Sequence, residues 1–60
     1  MNRTYEIDLV LDETKAGYIL LCFEDDDCVW EQFFRTDRKD DAEMMGENFV
    51  AGKYEEGFPS

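Results

Sequence analysis

Glu24, Asp25, Asp26 and Asp27 form one unbroken run, and Cys22 and Cys28 flank it. Carboxylates at that density suit a hard cation, since calcium takes about 6–8 oxygen ligands. The run lacks the Asp-x-Asp-x-Asp-Gly spacing and the distal Glu of an EF-hand loop, so only incidental, weak calcium contact is expected and no resident metal. The two thiols fall short of the about four ligands that structural zinc needs, and the chain holds no His to complete the set. Each cysteine therefore reads as a small buried hydrophobe, with a cross-strand disulfide as the other option. The missing His also leaves a Ser or Cys nucleophile without its usual base. The four glycines, at 17, 46, 52 and 57, are too scattered for a phosphate loop. Carboxylate pairs of the glycosidase kind need a cleft that encloses a sugar, and 60 residues leave little room for one. Neither catalysis nor a cofactor is expected, and binding is left as the function.

The elements that would position these residues follow from the hydropathy pattern. Tyr5, Ile7, Leu9 and Leu11 alternate with Glu6, Asp8 and Asp12, which predicts a strand over 4–12 with one buried and one acidic face. Val10 is the one apolar residue on the acidic side. Residues 12–17 form a turn, with Gly17 free to take a positive φ. Tyr18 to Phe23 is apolar without alternation, the pattern of a strand covered on both faces or central in a small sheet. The acidic run is then a hairpin loop, and 28–35 is a third strand rich in aromatics. Near Thr36 or Asp37, both suited to an N-cap, the period changes. Ala42, Met45 and Phe49 share one side of a helix over 38–51, and Gly52 with Lys53 can stop it. A tail over 54–60 follows, in which Phe58 folds back onto the domain and Pro59 ends regular structure. The fold class is α+β: a three-stranded antiparallel meander and one C-terminal helix packed on the sheet, in a single domain over 1–60.

Sixteen Asp and Glu oppose six Lys and Arg, for a net charge of −10. Self-repulsion of that size works against a compact state. Solubility is one reason to carry it, and a basic partner is the sharper one. A sphere about 27 Å across spans about 16 phosphates of duplex DNA, the same order as the sixteen carboxylates. Glu6 and Asp8 stand about 7 Å apart on one strand face. Asp40, Glu43 and Glu47 line one helix face, and with Glu24, Asp25, Asp26 and Asp27 these residues are the candidate acidic binding surface. Trp30, Phe33 and Phe34 read as core, although alternation keeps Phe33 and Phe34 off one common face.

In size, charge and β-β-β-α layout the whole chain resembles the small acidic proteins that bacteriophages use against their hosts, DNA-mimicking anti-CRISPR proteins among them. That resemblance implies an inhibitor that occupies the basic nucleic-acid channel of a host complex, such as a CRISPR effector subunit, and competes there with target DNA. Two other readings stand beside it. One is an adaptor or regulator that binds a host enzyme through exposed aromatics, with Phe34, Tyr54 and Phe58 as candidates. The other is a homo-oligomeric module joined at free sheet edges. A monomer is expected over a dimer. Direct nucleic-acid binding is not expected of a −10 surface, nor is membrane binding. The residues after Met1 hold no apolar run of signal-peptide length, so the expected location is cytoplasmic, with thiols kept reduced.

Overall fold

Alternating side chains make strand β1 of Arg3–Leu11, and two further runs make β2 of Ala16–Glu24 and β3 of Asp27–Arg35. A computed structural model describes residues 2–58; the expectation for Pro59 lies outside them. The strands form one antiparallel sheet in the order β1-β2-β3, and helix α1 of Lys39–Val50 packs on one of its faces. The β-β-β-α meander read from the sequence is the observed fold.

The second hairpin is tighter than the sequence suggests. Glu24 and Asp27 pair as strand residues, which leaves Asp25 and Asp26 as a two-residue turn with φ of 53° and 74°. Positive φ at both central residues marks the type I′ turn, whose twist matches that of the flanking strands and whose preferred residues are Asn and Gly. Asp tolerates this backbone better than most residues because its side chain can hydrogen-bond locally. Here Asp25 Oδ1 accepts from the Asn2 backbone N–H at 2.9 Å, and the Asp25 N–H donates to the Asn2 carbonyl at 2.8 Å.

Register sorts the side chains. Tyr5 pairs with Cys22 and Ile7 with Leu20, and Cys22 and Leu20 pair onward with Trp30 and Gln32. These residues share the helix face. Leu20, Cys22, Ala42 and Phe49 are the buried core, with Tyr5, Ile7, Trp30, Phe34 and Met45 packed around it. Gly46 sits in the same layer, where a Cβ would stand 2.4 Å from Tyr5 Cδ2, so its bareness sets how closely the helix approaches β1. Gly17 has no positive φ, contrary to expectation. It lies within β2, and a Cβ there would strike the Phe34 backbone oxygen at 2.3 Å and Phe33 Cζ at 2.5 Å, so its bareness admits both the neighbouring backbone and that ring.

The helix ends differ in how well they are closed. Neither Thr36 nor Asp37 is the N-cap: Thr36–Arg38 forms a 3-10 turn that swings the chain back over the sheet. Arg38 stands at the cap without a side-chain cap bond. Asp40 and Asp41 in the first turn face the positive end of the helix dipole instead, and Arg38 Nε donates to Asp41. At the C-terminus Gly52 takes φ of 86°, its N–H donates to the Phe49 carbonyl, and the Lys53 N–H donates to that of Asn48. This is a Schellman motif with glycine at the left-handed position.

Twelve helical residues rise about 18 Å, whereas nine strand residues run about 30 Å. The helix therefore cannot reach the far end of β1. Leu9 and Leu11, expected to be buried, are 57% and 76% exposed there.

Two substitutions test these assignments by thermal unfolding. Asp26→Gly gives the Asp-Gly pair that a type I′ turn prefers and should stabilise by about 0.5–1 kcal/mol; an unchanged or lower Tm would contradict the turn. Gly46→Ala should destabilise by about 1–2 kcal/mol, because overpacking against Tyr5 exceeds the helix-propensity gain of alanine. A rise in Tm would show that the helix has room to move.

Candidate functional site

The acidic residues divide between the two sides of the molecule. Asp40, Glu43 and Glu47 are exposed on α1, with Asp40 and Glu47 pointing directly away from the sheet. The direction of the helix determines where that row leads. Near its start Lys39 lies over Tyr18 on the far end of β2, at 5.6 Å. Near its end Phe49 lies under Arg3, which pairs with Glu24 beside the β2–β3 turn. The row thus runs toward the tip formed by Asp25, Asp26 and Asp27. Glu55 and Glu56, which the sequence reading did not nominate, join it there. The signal was available: a helix stopped at Gly52 and a Phe58 that returns to the core must carry the intervening glutamates past the tip.

Glu6 and Asp8 do not belong to this band. They stand on the sheet face opposite the helix, so all the nominated carboxylates cannot meet one flat partner surface at once. Glu24 is also set apart. It is half-buried and accepts from Arg3 Nε at 3.1 Å, while Arg3 Nη1 lies 3.5 Å from Glu55 Oε1. Arg38 pairs with Asp41 and Lys39 with Glu43, so with Arg3 three of the six cations are drawn into ion pairs.

Arg3 also floors a groove of about 290 Å³ whose walls include Glu24, Phe49, Tyr54, Glu55 and Phe58. Phe58 stacks on Trp30 with ring centroids 4.7 Å apart and leans on Phe49 at 5.7 Å, while Tyr54 meets Trp30 edge-on at 6.5 Å. Asn48 Nδ2 donates to the Tyr54 hydroxyl at 3.2 Å. Phe34, Tyr54 and Phe58, the aromatics nominated as available to a partner, are thus packed against the core. The aromatic rings on the open side are Phe23 and Phe33. Among the described residues no group of three or more carboxylate or thiol side chains converges as a metal site. No helix among them is long and apolar enough to cross a membrane.

The cysteines part company. Cys22 is buried on the helix face, and Cys28 is exposed. A register shift between Cys22 and Phe23 pairs Cys28 with Phe23, so the two thiols lie on opposite faces of the sheet. That geometry rules out the cross-strand disulfide, and it removes Cys28 from the core expected to hold it. Burial, and secondarily the proximity of Cys28, pushes the Cys22 thiol up to about 11.

No family model matches the chain, and no curated protein or solved structure is significantly similar to it.

Thiol chemistry reads the face assignment directly, because the thiolate is the reactive form and needs access. Iodoacetamide on the native protein at about pH 8 should label Cys28 alone, with Cys22 reacting only after denaturation. Peptide mapping that finds Cys22 labelled at a similar rate would mean that the core opens.

Proposed function

We propose that the protein is a non-catalytic acidic decoy that occupies the basic nucleic-acid-binding surface of a host complex and competes there with DNA. A CRISPR effector subunit is the partner that the phage-protein resemblance suggests. One magnitude carries the reading. The body measures 38 × 19 × 16 Å with a net charge of −10, or about one net charge per 4 Å of length. One strand of B-DNA carries a phosphate about every 3.4 Å of helix axis. The elongated shape favours the comparison more than the 27 Å sphere expected from chain length does, since a groove made for a duplex is itself linear. The band from Asp40 through Glu43, Glu47 and the tail glutamates to Asp25, Asp26 and Asp27 supplies the contact. Asp25 and Asp26 are exposed and fixed in a tight turn.

The test is capture of a partner from host lysate treated with DNase, followed by displacement of a labelled duplex from that partner. Binding should weaken with added salt, as screening shortens the reach of exposed charges. The triple variant Asp25→Lys, Asp27→Lys, Glu47→Lys should bind about tenfold more weakly or worse, since exposed pairs are each worth up to about 1 kcal/mol and a tenfold loss is about 1.4 kcal/mol. Unchanged competition by a folded triple variant would sink the acidic-band mechanism.

A further inference from the structure

The sheet face opposite the helix is built as if for a second covering element. Glu6, Leu21 and Glu31 form one cross-strand row, and Asp8, Ile19 and Phe33 form the next. Phe23 extends the central apolar column toward the tip. At the other end Phe33 lies over bare Gly17, with Lys15 Nζ 4.8 Å from its ring centroid. Ile19, Leu21, Phe23 and Phe33 are only half-buried, although β2 carries the continuous apolar run of a strand covered on both sides. The described residues supply one α-helix, and the other side of the sheet uses it.

We propose that this face docks an amphipathic helix of the partner protein, one with an apolar stripe flanked by Lys and Arg. The inference rests on the reading above for the sign of the partner's charge and adds where and how a protein element is held. Geometry selects the occupant. The outer strands stand about 4.8 Å to either side of β2, which puts Glu6 and Glu31 about 10 Å apart with Leu21 between them. A helix is about 10–12 Å across with its side chains, so one lying on the Ile19–Leu21–Phe23 column has a carboxylate along each flank. Basic residues on those flanks complement the rim. A second copy of this chain fits less well: it brings Arg35 and Lys15 at the Gly17 end, but it sets Glu6, Asp8 and Glu31 against their own kind and joins two bodies of charge −10.

The probe is a Leu/Lys peptide of about 18 residues, about 27 Å long as a helix, titrated into the isotopically labelled full chain at physiological ionic strength and followed by amide NMR. Saturable binding is expected, with the largest shifts at Ile19, Leu21, Phe23 and Phe33. A peptide of the same composition with scrambled periodicity should bind at least about tenfold more weakly. Leu21→Thr with Phe33→Thr keeps β-branched or β-tolerant strand residues and should abolish the preference between the peptides. Should that variant fail to fold, Glu6→Gln with Glu31→Gln, at exposed positions, should weaken Leu/Lys binding about threefold or more. Equal binding of both peptides, or shifts confined to Asp25–Asp27 and the outer helix face, would overturn the docking inference and leave the acidic-band reading standing. Absence of binding, or a dimer by light scattering that Leu21→Thr with Phe33→Thr returns to monomer, would also overturn it. Loss of duplex competition in the Asp25, Asp27, Glu47 variant remains the separate measure of the band.

Discussion

A twelve-residue helix and three nine-residue strands are mismatched in length, and one helix cannot cover two faces. Most of the molecule follows from that shortage. Because α1 is short, the core it closes is small, and close approach substitutes for area: Ala42 and Gly46 bring the helix backbone down onto β1, with Tyr5 beneath Gly46. Beyond the helix C-terminus the chain adds apolar cover of another kind. The Schellman turn at Gly52 redirects the tail, and Tyr54 and Phe58 close over Trp30 and Phe49. Rings suit this task because each covers a large area for few residues. At the opposite end no such tail exists, and Leu9 and Leu11 stay in solvent.

Small domains have a narrow stability margin, since a chain of about 60 residues buries only about 60% of its unfolded surface. Against that margin the acidic tip works in the wrong direction. A type I′ turn has better residues than two aspartates, which combine a disfavoured backbone region with repulsion between neighbours. Folding alone would choose Asn-Gly there. The tip therefore breaks a local rule for which the fold offers no compensation beyond the two hydrogen bonds to Asn2. Such breaks are expected where binding, not stability, dictates the residue. The remaining carboxylates lie at exposed or half-exposed positions, where water screens them and their cost to folding is smaller.

Much of this architecture was legible in the sequence because hydropathy period is a local property. Alternation in β1, the apolar run of β2 and the switch to helical period each fall within one segment, and Gly52 with Lys53 is a local stop signal. What was not legible depends on lengths and directions between segments. Leu9 and Leu11 alternate correctly, and only the relative reach of helix and strand shows that nothing lies over them. Cys28 fits a buried strand pattern until the register shift beside Phe23 turns it to the open face. The 3-10 turn over Thr36–Arg38 absorbs Thr36 and Asp37, the residues best suited to cap, a displacement that no local pattern signals. For the candidate site, the helix row and the tip were each visible in sequence. Their junction through Glu55 and Glu56, and the separation of Glu6 and Asp8 from both, required the helix direction and the strand register.

In the proposed association the two sides of the sheet would serve different stages. Charge spread along an elongated body acts at a distance of about a Debye length, so it governs how fast and in what orientation a basic partner arrives. It adds little to residence time, because exposed pairs gain little over their solvated forms. Differences in affinity within one family of complexes lie mostly in dissociation rate, and slow dissociation needs buried apolar contact. On the helix side most of the apolar surface is spent in the core and the tail cluster, with Leu9 and Leu11 left exposed at the far end. The open face holds a half-buried column of Ile19, Leu21, Phe23 and Phe33; Glu6, Asp8 and Glu31 on its flanks repeat the sign of the band on the other side, while Lys15 and Arg35 stand at the Gly17 end. A decoy that relied on the band alone would be displaced readily by a longer nucleic acid with the same charge spacing. Engagement of Leu21 and Phe33 by a protein element is something that DNA cannot copy, and it would let a short body of net charge −10 hold a site against a much longer polyanion.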